Sequence, residues 1–353
     1  MEHVNKIGVV LLNLGGPDSL QAVRPFLYNL FSDREIIRLG PAFLQKPIAK
    51  LISTLRSGKT EHMYSQIGGK SPILDITTAQ AKALEKALNE SRGERPFAPT
   101  LNFKVYIGMR YWQPYVKDTV DKIIQDGIEH LIVLSLYPHY SKATTGSAIA
   151  DFKKAVAELQ IINDKFQIQY IDRWYDFPPY IDSLAKLISE GMKEFKGNDF
   201  EILYSAHSLP QSFIDEGDPY LEHINATIAA VNSSLLPTAC LPDRQGQAGV
   251  TSHSLLLKWH LSFQSKTGPV KWLEPSTGET IIRLAKEGCK NLLVVPISFV
   301  SDHIETLYEI DILYKKLAEK HGINLARCRS LNTYDKFILA MKQLIMAKIA
   351  DSL

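Results

Sequence analysis

Apolar runs of strand length alternate with amphipathic stretches along the 353-residue chain. Strands are predicted at Ile7–Leu14, Phe103–Met109, Leu131–Tyr137, Gln167–Ile171, Phe200–Ser205 and Leu292–Phe299, with a further one near Leu255–Phe263. Several are apolar at nearly every position, the pattern of parallel strands covered on both faces. Between them, Thr77–Leu88 gathers Ala79, Ala83, Leu84 and Leu88 on one side with Lys and Glu opposite, and Val116–Gln125 and Tyr180–Phe195 repeat that helical period. Asp335–Leu353 reads as an amphipathic C-terminal helix. Strand–helix alternation over the whole length predicts an α/β fold with right-handed crossovers, in two halves of about four strands each. Only Ser233–Ser254, rich in Gly, Ser and Pro and without a period, reads as a long loop.

Charge and cysteine usage narrow the class. Lys plus Arg number 40 against 38 acidic residues, a net charge of +2 that argues against nucleic acid as the main partner. The three cysteines, Cys240, Cys289 and Cys328, are widely separated and form no CxxC, so no zinc or thioredoxin-like motif is readable. Their odd number suits a reducing compartment. Strand-like sequence begins six residues from the N-terminus, which leaves no room for a signal or transit peptide. No apolar run approaches the roughly 18–20 residues of a membrane-spanning helix.

The chemistry-bearing residues cluster just after the strands. They are Asn13-Leu14-Gly15-Gly16-Pro17, Arg110-Tyr111-Trp112, Tyr137-Pro138-His139-Tyr140-Ser141, Ser205-Ala206-His207-Ser208 and Ser298-Phe299-Val300-Ser301-Asp302-His303. Ligands of open parallel sheets bind beyond the carboxyl ends of the strands, so these five termini predict one shared cleft. Nucleotide readings fail. Ile67-Gly68-Gly69-Lys70-Ser71 has Tyr64 where a P-loop needs its first glycine, and Leu14-Gly15-Gly16-Pro17-Asp18 lacks GxGxxG spacing. Gly15 and Gly16 are instead expected to form a tight turn that lets a bulky ligand approach the backbone.

His207 has two readings: a hydrogen-bonded structural histidine, or a metal ligand or proton acceptor. The stretch after Ser301 shifts the balance. A helix is expected there with Ser301 or Asp302 as N-cap, which puts Asp302, Glu305 and Glu309 on one face at i, i+3 and i+7. Like charges on one stripe repel. Either they serve the helix dipole, or they conduct a divalent cation or protons into the cleft. One Glu/His pair is a poor permanent metal cage and suits a metal in transit.

Together these motifs resemble ferrochelatases, enzymes that insert ferrous iron into a porphyrin. The resemblance covers nearly the whole chain: Val9–Pro17 (VVLLNLGGP), Tyr64–Pro72 (YSQIGGKSP), Gly108–Pro114 (GMRYWQP), Tyr137–Ser147 (YPHYSKATTGS), Tyr204–Pro210 (YSAHSLP), Gly217–Tyr220 (GDPY), Leu261–Ser265 (LSFQS), Trp272–Pro275 (WLEP) and Phe299–Glu309 (FVSDHIETLYE). It implies two similar Rossmann-like lobes, each a four-stranded parallel sheet flanked by helices, with a porphyrin cleft between them. The N-terminal lobe would span residues 1–172 and the C-terminal lobe 173–334. The helix at 335–353 would pack back on the N-terminal lobe.

The resemblance also implies site roles. His207 and Glu305 would be the catalytic and metal-contacting pair, with Asp302, His303 and Glu309 along the metal or proton path. Leu14, Arg110, Tyr111, Tyr137, Ser265, Trp272 and Phe299 would be porphyrin-binding positions. The substrates would be protoporphyrin IX and ferrous iron, giving protohaem and two protons. A coproporphyrin III chelatase, another tetrapyrrole chelatase and a non-catalytic tetrapyrrole carrier are the alternatives. Residue chemistry agrees, because a flat apolar disc with anionic propionates needs apolar and aromatic walls plus a cation such as Arg110. Some relatives carry a 2Fe–2S cluster on four cysteines. Here Lys142 occupies one such position and three scattered cysteines cannot supply the set, so no cluster is expected.

Residues 36–60 carry Arg38, Lys46, Lys50, Arg56 and Lys59 and no acid, with Leu44, Ile48, Leu51 and Leu55 on one helical face. This is the pattern of an interfacial helix, though a helix packed on its own domain with solvated lysines would also show it. The resemblance places it at the lip of the cleft. The protein is accordingly expected in the cytoplasm, with peripheral contact at the inner membrane face.

Overall fold

The computed structural model describes residues 6–90, 101–158, 166–196, 199–235, 257–266 and 270–351. Two four-stranded sheets form the frame, ordered β2-β1-β3-β4 and β6-β5-β7-β8, and every pairing is parallel. The first holds β1 (Lys6–Asn13), β2 (Asn102–Met109), β3 (His130–Ser135) and β4 (Gln167–Ile171). The second holds β5 (Glu201–His207), β6 (Trp259–Gln264), β7 (Asn291–Pro296) and β8 (Asn324–Arg327). The two orders are identical once the second set is renumbered from one.

Each central strand is sealed by its neighbours. Val10 of β1 lies opposite Tyr106 and Val133, and Tyr204 of β5 lies opposite Leu261 and Val295. All seven residues after Lys6 in β1 are buried, as the unbroken apolar run requires. The eighth strand, β8, escapes prediction: its four residues, NLAR, are too short and too polar at the ends for a period to emerge. Strand ends also shift. β5 runs on to His207, whereas β3 stops at Ser135 and β7 at Pro296, before the residues that bend into the cleft.

The helices are α1 (Val23–Ser32), α2 (Gln45–Ser65), α3 (Ile73–Glu90), α4 (Val116–Gln125), α5 (Ser147–Glu158), α6 (Pro178–Gly191), α7 (Gln211–Asp215), α8 (Tyr220–Leu235), α9 (Thr277–Lys286), α10 (Lys315–Lys320) and α11 (Asp335–Ala350). The predicted helices coincide with α3, α4, α6 and α11. In the predicted loop, Ser233 and Ser234 belong to the end of α8, and residues 236–254 lie outside the described residues.

One apolar core joins the inner faces of both sheets. It includes Val9, Leu11 and Ile132 from the first, Tyr204, Leu293 and Val295 from the second, and Leu84, Ile188, Ile224 and Phe337 from the intervening helices. α11 lies against both α3 and α6. Two polar ties reinforce the join, as the Gln80 amide donates to Ser301 Oγ (3.1 Å) and to the Asn332 carbonyl (2.8 Å).

α2 departs from an ordinary packed helix. Its inner face buries Gln45, Ala49, Ser53 and Tyr64, while Phe43 just before it and Leu51 and Leu55 on it are 78%, 59% and 74% exposed. Gln45 anchors the base by donating to the carbonyls of Phe31 and Ile37.

Candidate active site

The carboxyl ends of β1, β3, β5, β6 and β7 open into one cavity of about 440 Å³, roofed by α1 and α2. Leu14, Tyr137, His207, Ser265, Trp272, Phe299, His303, Glu305 and Glu309 all line it. The turn after β1 divides its two glycines. Gly15, at φ +82°, reaches the cavity wall, whereas a Cβ at Gly16 would collide with the Ser71 side chain. Gly16 therefore serves close packing rather than ligand approach.

His207 and Glu305 meet at the base. His207 Nδ1 lies 3.0 Å from Glu305 Oε2. A carboxylate only accepts, so Nδ1 carries the proton and a neutral His207 keeps its lone pair on Nε2. Gln264, the β6 residue in register with His207, donates to Glu305 Oε2 (3.3 Å) and to the Glu305 carbonyl (3.1 Å). Gln264 is held in turn by Ser205 Oγ at 2.6 Å. Burial disfavours the charged imidazole, but the charge and hydrogen bond of Glu305 outweigh it and raise the His207 pKa. Burial likewise opposes ionisation of Glu305, and the adjoining His207 and His303 overcome it, holding Glu305 below the usual carboxylate range.

The carboxylates sit on a π-helix, Glu305–Tyr314, rather than an α-helix. Its wider turn lets residues four apart share a face, so Glu305, Glu309 and Leu313 all reach the cavity. Asp302 falls before the helix and off that stripe. It caps nothing. Its carboxylate accepts from Arg327 (2.9 Å), Ser330 (2.7 Å) and Asn332 (2.7 Å), and Arg327 foremost among these keeps its pKa low against the opposing effect of burial. Arg327 also forks onto Asp311 of the π-helix, at 2.7 and 2.9 Å. His303 donates Nδ1–H to the Ser301 carbonyl (3.1 Å), which leaves its buried Nε2 unpartnered among the described residues, 3.9 Å from Glu305 Oε1.

Glu309 accepts from Ser265 Oγ at 2.8 Å. Burial, then the Glu305 charge, pushes its pKa from 4.5 up to about 8. Between those values the folded chain holds a proton that the unfolded chain has released, so stability falls as pH rises through the window. His207, whose pKa is also raised, acts in the same direction. Below about pH 6.5 the buried, neutral His139 and His303 act the other way, so scanning calorimetry of the metal-free protein should show its thermal midpoint dropping from about pH 7 to pH 8. Glu309→Gln should flatten that slope, and an unchanged slope would contradict the assignment.

Two residues expected at the porphyrin wall stand elsewhere. The Arg110 guanidinium is taken by Asp33 (2.8 Å) and Asp151 (3.3 Å), with Nε on Ser147 (3.0 Å). Tyr111, 2% exposed, donates to the same Asp33 carboxylate. They knot α1, the β2–α4 turn and α5 together behind the cavity. The cations that do line it are Arg56, Lys59 and Lys266. Arg56 and Lys59 share with Met63 an i, i+3, i+7 stripe of α2 facing the opening, in the basic segment that the sequence places at the lip of the cleft without assigning any residue of it to the ring. His139 also lines the wall, and burial lowers its pKa to about 3, so it is neutral.

Comparison with known proteins decides the family. The family model described as Ferrochelatase matches residues 6–349. The chain belongs to the ferrochelatase family. It is 51% identical over 348 residues to a ferrochelatase of Geotalea uraniireducens, covering 98% of this chain and 99% of that protein. Against ferrochelatases of Desulfotalea psychrophila and Synechocystis sp. the identities are 48% and 46%, covering 98% and 99% of this chain and 98% and 84% of theirs. A solved structure described as SirB from Bacillus subtilis with Fe3+ superposes with a TM-score of 0.54 at 9% identity, over 98% of this chain and 97% of that one, a likeness of fold. Within this ferrochelatase, then, the two parallel sheets are chelatase lobes, and the cavity at their strand ends is the place to seek metal insertion.

Proposed function

We propose that this ferrochelatase inserts ferrous iron into protoporphyrin IX, forming protohaem and releasing two protons. The observation that carries the reading is the His207–Glu305 pair, 3.0 Å apart at the base of a cavity walled mainly by apolar and aromatic side chains. Leu14, Ile73, Tyr137 and Leu209 supply apolar surface for a flat ring. Arg56, Lys59 and Lys266 stand where ring carboxylates would need cations. Arg110 has no part in this, being committed to Asp33 and Asp151.

Ring nitrogens must lose two N–H protons as iron arrives. In its neutral form His207 offers Nε2 as the acceptor, while Glu305 holds Nδ1–H and so the ring orientation. The developing imidazolium is stabilised by Glu305. His303 Nε2, Glu305 Oε1 and Glu309 are the oxygen and nitrogen donors available to the incoming iron, which is a substrate and not a resident group. The apolar walls would exclude water from the nitrogens of a bound ring. No iron–sulfur cluster is part of the proposal, so purified protein should lack its visible absorbance.

Steady-state assays under strict anaerobiosis, with ferrous iron and either protoporphyrin IX or coproporphyrin III, test the substrate assignment. The reading predicts a higher kcat/KM for protoporphyrin IX. A preference for coproporphyrin III would reassign the substrate.

The exposed Phe43, Leu51 and Leu55, beside Lys46 and Lys50, support a peripheral contact of the lip with an anionic bilayer at the inner membrane face. No helix among the described residues is long and apolar enough to cross a membrane. Flotation with phosphatidylglycerol vesicles should recover the protein. Lys46→Glu with Lys50→Glu should weaken recovery about ten-fold or more, given roughly 1 kcal/mol per basic residue at such a surface. Undiminished flotation would contradict the contact.

A further inference from the structure

The motif Gly217-Asp218-Pro219-Tyr220 leads from α7 into α8, and its Tyr220 lines the cavity. Its residues act together on His207. Gly217, at φ +86°, turns the chain after α7. That turn delivers Asp218 to the start of α8, where Oδ1 accepts from the Tyr220 backbone N–H at 3.0 Å. Tyr220, 4% exposed, then reaches across and donates its hydroxyl to the His207 carbonyl at 2.9 Å.

The other side of the His207 residue is gripped as well. Its backbone N–H donates to Ser298 Oγ at 2.9 Å. The residue is thus held at both of its backbone polar groups, the N–H by Ser298 and the C=O by Tyr220. These two bonds leave the backbone beneath the imidazole little freedom to tilt.

Asp218 extends the grip to the facing wall. Its Oδ2 accepts from Ser141 Oγ (2.9 Å) and the Lys142 backbone N–H (2.7 Å), in the loop after β3 that also carries Tyr137 and His139. One buried carboxylate thus joins the wall that would contact the ring to the element that aims His207 at it.

We propose that Gly217–Tyr220 is a positioning element for His207, in which Tyr220 and Ser298 fix the histidine backbone and Asp218 sets its distance from the opposite wall. This rests on the metal-insertion reading. A misplaced base slows the chemical step without weakening ring binding, so the effect should appear in kcat rather than KM.

Tyr220→Phe removes one oxygen and keeps the ring in its pocket. It should lower kcat about three- to ten-fold, the worth of one hydrogen bond, with porphyrin KM unchanged and a thermal midpoint lower by only a few degrees, from the His207 carbonyl left without its donor. Ser298→Ala should do the same, and the double variant should lose less than the product of the two single losses, because both bonds hold the same residue. Wild-type kcat in Tyr220→Phe, a loss confined to KM, or strictly additive losses would overturn the proposal. Nitrogen-15 resonances of the His207 imidazole, assigned by their absence in His207→Ala, give a readout independent of turnover. They should move in Tyr220→Phe, and unmoved resonances would refute positioning. Wild-type protein that fails to metallate porphyrin would instead refute the activity, with the resonance shift still deciding the positioning.

Discussion

Replacing His207 by alanine is expected to lower kcat for iron insertion by about a hundred- to ten-thousand-fold, the usual range for losing a positioned general base. Porphyrin binding should survive, because the cavity walls and the cations Arg56, Lys59 and Lys266 remain. Fluorescence titration with protoporphyrin IX would report binding, and haem absorbance would report insertion. Activity near the wild-type value would remove His207 from the chemistry. Loss of binding in parallel with activity would make it a structural residue.

Replacing Arg327 by methionine has the second large expected effect, on the fold and through it on the site. Arg327 links Asp302, before the π-helix, to Asp311 within it, and the side chains of Arg327 and Asp302 are only 12% and 17% exposed. Removing the cation leaves Asp302 partly buried without its main charge partner, which should cost about 3 kcal/mol. Urea denaturation should show a lower midpoint at unchanged m. A π-helix is locally unfavourable and persists only where its surroundings hold it. Loosening that clamp should therefore also misdirect Glu305 and Glu309 and reduce kcat. A midpoint within experimental scatter of wild type would show that the clamp is dispensable.

Most of the frame was legible because it depends on local pattern. The unbroken apolar runs of β1, β3 and β7 admit little besides a doubly covered parallel sheet, and strand–helix alternation then fixes the order of layers. β8 stayed hidden because four residues carry no period. The π-helix stayed hidden for a related reason. The charge spacing marks neither its register nor its start at Glu305, so Asp302, which precedes the helix and faces Arg327, was grouped with Glu305 and Glu309.

The site divides the same way. A histidine at a strand end is visible in the sequence, but its 3.0 Å contact with a carboxylate 98 positions away is a product of two strands folding side by side. The resemblance to ferrochelatases paired His207 with Glu305, and local pattern did not. Arg110 shows the limit of reasoning from residue type. A cation after a strand suits a propionate, yet Asp33, 77 positions earlier, sits at 2.8 Å and claims it. The cations that reach the cavity were recognised as a basic stripe, and only the position of α2 over the strand ends turns Arg56 and Lys59 toward the opening.

The two halves share more than strand order. In each, the third strand leads through a buried polar segment into a π-helical stretch, Lys142–Gly146 after β3 and Glu305–Tyr314 after β7. The first presents no ionisable side chain to the cavity, and the second presents Glu305 and Glu309. On the proposed reading, one lobe offers mainly a wall for the ring while the other carries the acid–base groups and the donors that would meet the iron, a division of labour within one repeated architecture.

Single-turnover mixing tests the central claim most directly. Wild-type protein saturated with protoporphyrin IX would be mixed anaerobically with ferrous iron, following porphyrin fluorescence and haem absorbance together. The account predicts that fluorescence falls and haem appears at one shared rate that collapses in His207→Ala. Porphyrin that stays bound and fluorescent in the presence of ferrous iron would contradict it and make the cavity a tetrapyrrole carrier.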